Sequence, residues 1–235
     1  MRDVKLTRQE NTFTPVGSRL QKIFSQLYDS YGPQHWWPGD GPFEVVVGAI
    51  LTQNTAWTNA DRALSNLKEA KALNPARLRD LPQEELASLV KPSGYFNTKA
   101  KKLKAFAEHL GSRYGDDLDR MLGQGLEVLR EELLSIYGIG EETADDIILY
   151  AAGMPSFVID SYTRRVLQRL ELAPPRDIYG DYQSIFHDNL PPDTGLFNEY
   201  HALLDRHAHE ICQRTPRCSE CCLLDMCPTG SRWQG

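Results

Sequence analysis

The feature that most constrains this chain is a 3.6-residue apolar rhythm that runs along most of its length and never gives way to a strand-length alternation. From Phe43, the positions Val46, Val47, Ile50 and Leu51 mark one helical face. After a break at Gln53-Asn54-Thr55, Ala60, Ala63, Leu64 and Leu67 mark another. Pro82 with Glu84 and Glu85 opens a short helix whose apolar side is Leu86, Leu89 and Val90. Asn97 is placed to cap a helix carrying Leu103, Phe106, Ala107 and Leu110, with Gly111 near its end. Leu129, Leu133, Leu134 and Ile136 continue the rhythm. Only Val45-Val46-Val47 and Phe157-Val158-Ile159 hint at strands, and each is too short to build a sheet. The predicted fold is all-α.

A length of 235 residues suits two small domains. Punctuation at Pro38-Gly39-Asp40-Gly41-Pro42 and near Gly153 divides the chain into a helical, barrel-like domain over 41–152 and a discontinuous one formed by 1–40 with 153–235. The longest apolar run, Val45-Val46-Val47-Gly48-Ala49-Ile50-Leu51, is far below the about 20 residues needed to span a bilayer. Met1-Arg2-Asp3-Val4-Lys5 has no apolar core behind its charges. These features predict a cytoplasmic protein with no membrane partner. A net charge of -6 is not that of a generally basic nucleic-acid binder. Phosphates, however, respond to local patches and to backbone N–H groups at helix ends.

The most informative segment runs from Leu133 to Ile148. One helix leads into Gly138-Ile139-Gly140, and a second follows at once with Ala144, Ile147, Ile148 and Ala151 at i, i+3, i+4 and i+7. The glycines permit positive φ and close approach of another molecule to the backbone. The N–H groups of Gly140 and its successors stand at a positive helix end and suit an anion such as a DNA phosphate. The same residues also read as a tight turn between helices with no ligand. Glu141 and Glu142 favour the helix dipole but repel a phosphate. Further on, Asp160 follows Phe157-Val158-Ile159 and precedes a helix marked by Val166, Leu167 and Leu170. It reads either as an N-cap or as a carboxylate beside apolar walls, able to stabilise positive charge or activate a water.

The hairpin over 131–152, followed at this spacing by Val158-Ile159-Asp160, resembles the helix-hairpin-helix DNA glycosylases, the superfamily of endonuclease III, over about Phe43 to Cys227. The resemblance implies two helical domains with an active-site cleft between them and double-stranded DNA carrying a damaged base as partner. Gly138, Ile139, Gly140 and Thr143 would bind the DNA backbone, and Asp160 would be the catalytic carboxylate. Bifunctional members place a lysine just after the hairpin, and here that position is Glu142. A carboxylate cannot form the Schiff base of lyase chemistry, so the resemblance implies a monofunctional enzyme. Lys99 and Lys101 have no spacing that would let them substitute.

All five cysteines lie within 212–227. Cys212, Cys218, Cys221 and Cys227 form C-x5-C-x2-C-x5-C, with Cys222 as an extra thiol. By spacing, structural zinc and a cubane iron–sulfur cluster both remain open. The resemblance favours a C-terminal [4Fe–4S] loop, although the first gap is one residue shorter than the family's. Arg214-Thr215-Pro216-Arg217 within that gap is similar to the basic, proline-bearing loop that faces DNA in the family.

Gln53 matches the position from which endonuclease III-like enzymes insert a glutamine into the emptied base stack. Trp36, Trp37 and Trp57 flank the first strong helix and are candidates for a base pocket, where π faces would stack on a positively charged alkylated purine. Core packing is their plain alternative. Trp36-Trp37-Pro38, Leu51-Thr52-Gln53-Asn54-Thr55 and the stretch from Pro92 to Ala100 are most similar to the bacterial 3-methyladenine glycosylases of the endonuclease III branch. Lys99, Lys101, Lys102 and Lys104 would supply a local positive patch, or simply a solvated helix face. The expected enzyme is a monomeric, nucleoid-associated DNA glycosylase of base excision repair. An endonuclease III-type lyase on oxidised pyrimidines and a non-catalytic damaged-DNA-binding protein remain as alternatives.

Overall fold

A computed structural model describes residues 14–37 and 39–233. Pro38 of the Trp36-Trp37-Pro38 motif and the charged N-terminal stretch 1–5 lie outside the described residues. The described residues contain helices and no strand. None of these helices is long and apolar enough to cross a membrane. Contacts divide the chain into two compact units, Trp37–Met154 and residues 14–36 with 155–233.

The Trp37–Met154 unit is built round the helix Pro42–Leu51, in which every residue from Glu44 to Leu51 is buried. This explains the unbroken apolar run, because a helix surrounded on all sides needs no polar face. Val45-Val46-Val47 is therefore helical rather than extended. Trp57–Glu69 and Phe96–Tyr114 pack against it through Ala60, Leu64, Leu67, Leu103, Phe106 and Leu110.

Two local expectations about Phe96–Tyr114 are corrected. Asn97 lies inside its first turn, and the N-cap is Tyr95, held at φ 43 after Gly94 at φ 67. Gly111 lies inside the helix, where a Cβ would stand 2.1 Å from Arg79 Nη1. That guanidinium crosses the helix there to donate to Asp116 over 2.7 and 3.1 Å. The helix ends one turn later at Gly115, in the left-handed conformation at φ 62.

In the other unit, Pro15–Tyr31 and Thr194–Glu210 pack against each other. Their core is aromatic: Phe157 stacks on Phe186 at 3.6 Å and meets Phe197 and Tyr200 edge-on. Phe157-Val158-Ile159 is buried and forms no strand, and no strand exists among the described residues to pair with its backbone. Side chains take that role, as buried N–H and C=O groups require. His187 Nε2 accepts from the Phe157 N–H (3.0 Å), Tyr179 Oη accepts from the Ile159 N–H (3.2 Å), and Gln183 Nε2 donates to the Phe157 carbonyl (2.9 Å). These bonds deliver the chain straight to Asp160 at the head of Ser161–Arg169.

Tyr179→Phe removes the acceptor for a buried N–H, and the expected loss is about 1–3 kcal/mol of unfolding free energy. Denaturant melts of the two proteins measure it.

Candidate functional site

In the Trp37–Met154 unit, the helix Leu126–Ser135 leads through residues 136–140 into Glu141–Asp146, and a single π-helical turn follows over Ile147–Ala151. A buried bidentate pair locks the two helices: Arg130 Nε and Nη2 donate to Asp145 at 2.9 and 3.1 Å, and Asp145 is fully buried. Ile139 is tucked inward at 5% exposure, so only the backbone of the Gly-Ile-Gly corner is presented. Gly138 is at φ 86, and a Cβ there would lie 2.3 Å from Lys102 Cγ. Gly140 is extended at φ -98 with nothing within 4 Å of an added Cβ. The second glycine thus leaves open space beside the first N–H groups of the following helix. Glu141 lies 3.8 Å from Arg130, and both Glu141 and Glu142 are exposed.

Three of the expected residues are brought together. Gln53 Nε2 donates to the Gly138 carbonyl (3.0 Å) and to Thr143 Oγ1 (2.8 Å), and Gln53 Oε1 accepts from Lys102 Nζ. Gln53 is therefore partly buried against the hairpin rather than solvated. Thr143 is buried with its hydroxyl engaged by that glutamine. Lys102 was legible only as part of a charged stretch; as the partner of Gln53 it is new.

The solvated lysine patch is corrected. Lys99 is 2% exposed and its Nζ donates to the carbonyls of Leu51 (2.8 Å) and Ser93 (2.6 Å). Burial, with the Lys102 charge beside it, pulls its ammonium down to about 8. Lys104 Nζ donates to the Arg79 carbonyl, and burial lowers Lys102 as well. Of the four, only Lys101 is exposed.

Trp37 and Trp57 touch edge to face, ring centroids 5.1 Å apart at 86°. Perpendicular rings cannot bracket a flat base between them. Gly48 makes room for Trp37, since a Cβ there would come within 3.0 Å of its ring. Tyr150, on the π-helical turn and not foreseen, packs on the same tryptophan at 5.4 Å. Trp36 falls in the other unit and is half-buried.

In that unit, Asp160 caps Ser161–Arg169: its Oδ1 accepts from the Thr163 N–H at 2.7 Å. Its Oδ2 stands 3.9 Å from His201 Nε2, and the side chain is 14% exposed. The cap thus occupies Oδ1 and leaves Oδ2 outside it.

Cys212, Cys218, Cys221 and Cys227 line one apolar-walled cavity with Val166, Leu170 and Leu223, whereas Cys222 is not among its lining residues. The five cysteines are free. Among the described residues no three His, Cys, Asp or Glu side chains converge closely enough to hold a single ion. The four thiols surround a space instead, which fits a cubane that takes one thiolate per iron. Arg169 Nη1 donates to Cys212 Sγ (3.1 Å), the Gly230 N–H to Cys227 Sγ (3.3 Å), and His207 Nε2 is 3.7 Å from Cys221 Sγ. Burial pushes the Cys221 thiol up to about 12 and raises Cys218. A coordinating metal overcomes such a shift and deprotonates the thiol outright. The donor set fits the cluster.

Residues 47–192 match the HhH-GPD superfamily of base excision DNA repair proteins. The chain belongs to this family. A putative DNA repair glycosylase of Methanocaldococcus jannaschii is 40% identical over 220 residues, 93% of this chain and 98% of that one. An endonuclease III solved in a non-covalent complex with DNA superposes with a TM-score of 0.80 at 20% identity, covering 92% of this chain and 97% of its own. The 3-methyladenine DNA glycosylase of H. pylori bound to 1,N6-ethenoadenine superposes with a TM-score of 0.69 at 25% identity, over 83% and 97%. The family is one of DNA glycosylases.

The two glycines of this HhH-GPD hairpin are expected to behave differently. Gly138→Ala forces an L-residue into positive φ and displaces Lys102, costing about 1–2 kcal/mol of stability. Gly140→Ala is expected to change stability by less than about 0.5 kcal/mol. Chemical denaturation of both variants measures this, and equal losses would show that the backbone difference is immaterial.

Proposed function

We propose that the chain is a monofunctional DNA N-glycosylase that hydrolyses the glycosidic bond of a flipped, damaged base, an alkylated purine such as 3-methyladenine. It would act as a monomer on double-stranded chromosomal DNA in the cytoplasm. The observation that carries this reading is Asp160, a largely buried carboxylate oriented by its own helix and delivered by a buried, hydrogen-bonded segment.

A glycosylase must draw the nucleotide out of the stack, fill the gap and stabilise the sugar as the base departs. The corner at Gly138 and Gly140 offers backbone N–H groups to a phosphate, a mode of binding that suits a chain of net charge -6. Gln53 enters the vacated stack by exchanging its bonds to Gly138 and Thr143 for bonds to bases. Trp37 and Trp57 each offer an aromatic surface to the extruded base. Asp160 stabilises the oxocarbenium-like sugar and takes a proton from the attacking water. An alkylated cationic purine leaves readily, so a carboxylate with good stacking suffices. The likeness to the H. pylori enzyme supports that substrate class.

Glu142 at the lyase position supports hydrolysis over β-elimination. Lys99, the amine most readily deprotonated by its surroundings, is held by two backbone carbonyls at 2% exposure and has no path to a sugar. Burial of Lys99 thus weakens the endonuclease III-type lyase reading, which is left with Lys101, an exposed amine whose spacing does not match the lyase position. A [4Fe–4S] cluster held by Cys212, Cys218, Cys221 and Cys227 would supply a covalent cross-link that fixes the loop carrying Arg214 and Arg217.

Release of free base from duplexes carrying alkylated, oxidised or deaminated bases tests the reading. Alkylated purines are expected to lead, and Asp160→Asn is expected to slow release by at least about a hundredfold. Borohydride is expected to trap no covalent adduct, and a trapped adduct would overturn the monofunctional assignment. Cys221→Ser is expected to lose iron and acid-labile sulfide while Cys222→Ser retains both, which elemental analysis of the purified proteins decides.

A further inference from the structure

The helix Thr194–Glu210 carries His201, Asp205 and His209 at four-residue spacing, which sets all three along one side of the helix. This helix packs against Ser161–Arg169, whose cap is Asp160. At the inner end of the row, His201 Nε2 is 3.9 Å from Asp160 Oδ2. At the outer end, His209 Nε2 is 3.7 Å from Asp205 Oδ1. Side-chain exposure climbs outward, from 9% at His201 through 24% at Asp205 to 50% at His209. His209 opens into a surface recess lined also by Tyr162, Arg165, Gln213 and Arg214. Buried ionisable groups cost desolvation energy, and the fold alone gives no reason for such a row beside this particular carboxylate.

We propose that His201, Asp205 and His209 form a proton path that carries the proton gained by Asp160 out to solvent. The inference rests on Asp160 being the catalytic carboxylate. In the hydrolysis, the C1′–N bond breaks with its electrons leaving on the base nitrogen, and a C1′–O bond forms from water, whose proton passes to Asp160. A cationic alkylated base leaves neutral and takes no proton, so each turnover releases one proton at the acid. A neutral base departs as an anion and reclaims that proton. An exit route thus matches the cationic substrate class. Both measured gaps exceed direct hydrogen-bond reach, so a bridging water or a small side-chain movement completes those two steps, while one helical turn separates His201 from Asp205.

Asp205 is the carboxylate of the row whose surroundings favour a bound proton. Burial, then the neighbouring Asp160, pushes Asp205 up to about 6, against the pull of His201 and Arg165. The groups facing Asp205 are Asp160, Tyr162 and Arg165 from one helix and His201 and His209 from its own. Tyr162 is itself raised, by burial and then by Asp205 and Asp160. Asp205 is accordingly the station along the row that both accepts and loses a proton near neutral pH.

Two measurements on the full-length protein test the path. In a pH titration followed by NMR of labelled aspartate, the Asp205 carboxyl signal is expected to step near pH 6, and His201→Gln is expected to move that step upward by removing the pull of His201. This requires no substrate, and an unchanged step overturns the path. In multiple-turnover base release from dimethyl-sulfate-treated duplex DNA, where Asp160 must shed its proton before each new cycle, Asp205→Asn is expected to slow steady-state release about tenfold and flatten its pH dependence, with Asp205→Glu restoring both. His209→Ala, at the exposed end, keeps the test open should Asp205→Asn fail to fold. It is expected to slow release and to be rescued by added imidazole. Wild-type rates and pH profiles in both variants, with Asp160→Asn inactive, overturn the path alone. Full release by Asp160→Asn overturns the catalytic reading beneath it.

Discussion

The hydrogen bond from the Thr163 N–H to Asp160 Oδ1 is the contact on which the rest turns, because it decides where a carboxylate points. A carboxyl group beside apolar walls has no reason of its own to hold one rotamer. Here the first turn of Ser161–Arg169 needs an acceptor, Asp160 supplies one oxygen, and the second is left oriented as a consequence. The segment before it holds its place without a sheet because His187, Tyr179 and Gln183 take over the bonds a neighbouring strand would have made. The N-cap and the proposed catalytic group are thus one residue with two separable duties.

The Trp37–Met154 unit shows the same economy of means at its hairpin. Gly138 is needed for its conformation and for the passage of Lys102, Ile139 for the core, and Gly140 for the space it leaves. The Arg130–Asp145 pair holds the helices on either side, and its burial makes its bidentate geometry important, since a half-made buried ion pair would be strongly destabilising. Of the lysines that resemble a phosphate-binding patch, Lys99 and Lys104 turn to backbone carbonyls at helix ends and Lys102 to the Gln53 side chain. On the reading offered here, an acidic chain meets an anion through backbone N–H groups that no count of side-chain charge records.

The cysteine loop combines free thiols, apolar walls, donors from Arg169 and Gly230, and the His207 ring beside Cys221. Burial opposes ionisation of Cys221 and Cys218, so a metal is what would make thiolates of them. Adjacent cysteines at 221 and 222 are equivalent by composition and differ by which one faces the cavity.

Most helices were legible because the 3.6-residue rhythm is a local property of the chain, and the all-α fold follows from it. The hairpin, Asp160 and the four cysteines were likewise carried by short spacings. What the sequence left undecided always involved a partner far along the chain. Nothing in the sequence links Gln53 to Gly138 and Thr143, because these acceptors are 85 and 90 residues away. Gly111 looked like a helix end because Arg79, which requires it, approaches from another helix. Val45-Val46-Val47 hinted at a strand because burial on every side erases the polar face by which a helix is recognised. His201, Asp205 and His209 stand four residues apart in plain view, yet only the packing of their helix against the one capped by Asp160 gives the spacing a meaning. The sequence by itself determined which segments coil and which residue types can do chemistry, since both depend on near neighbours. Tertiary structure alone decided which of those groups face one another and which are shut away from water, because burial is a property of the folded whole.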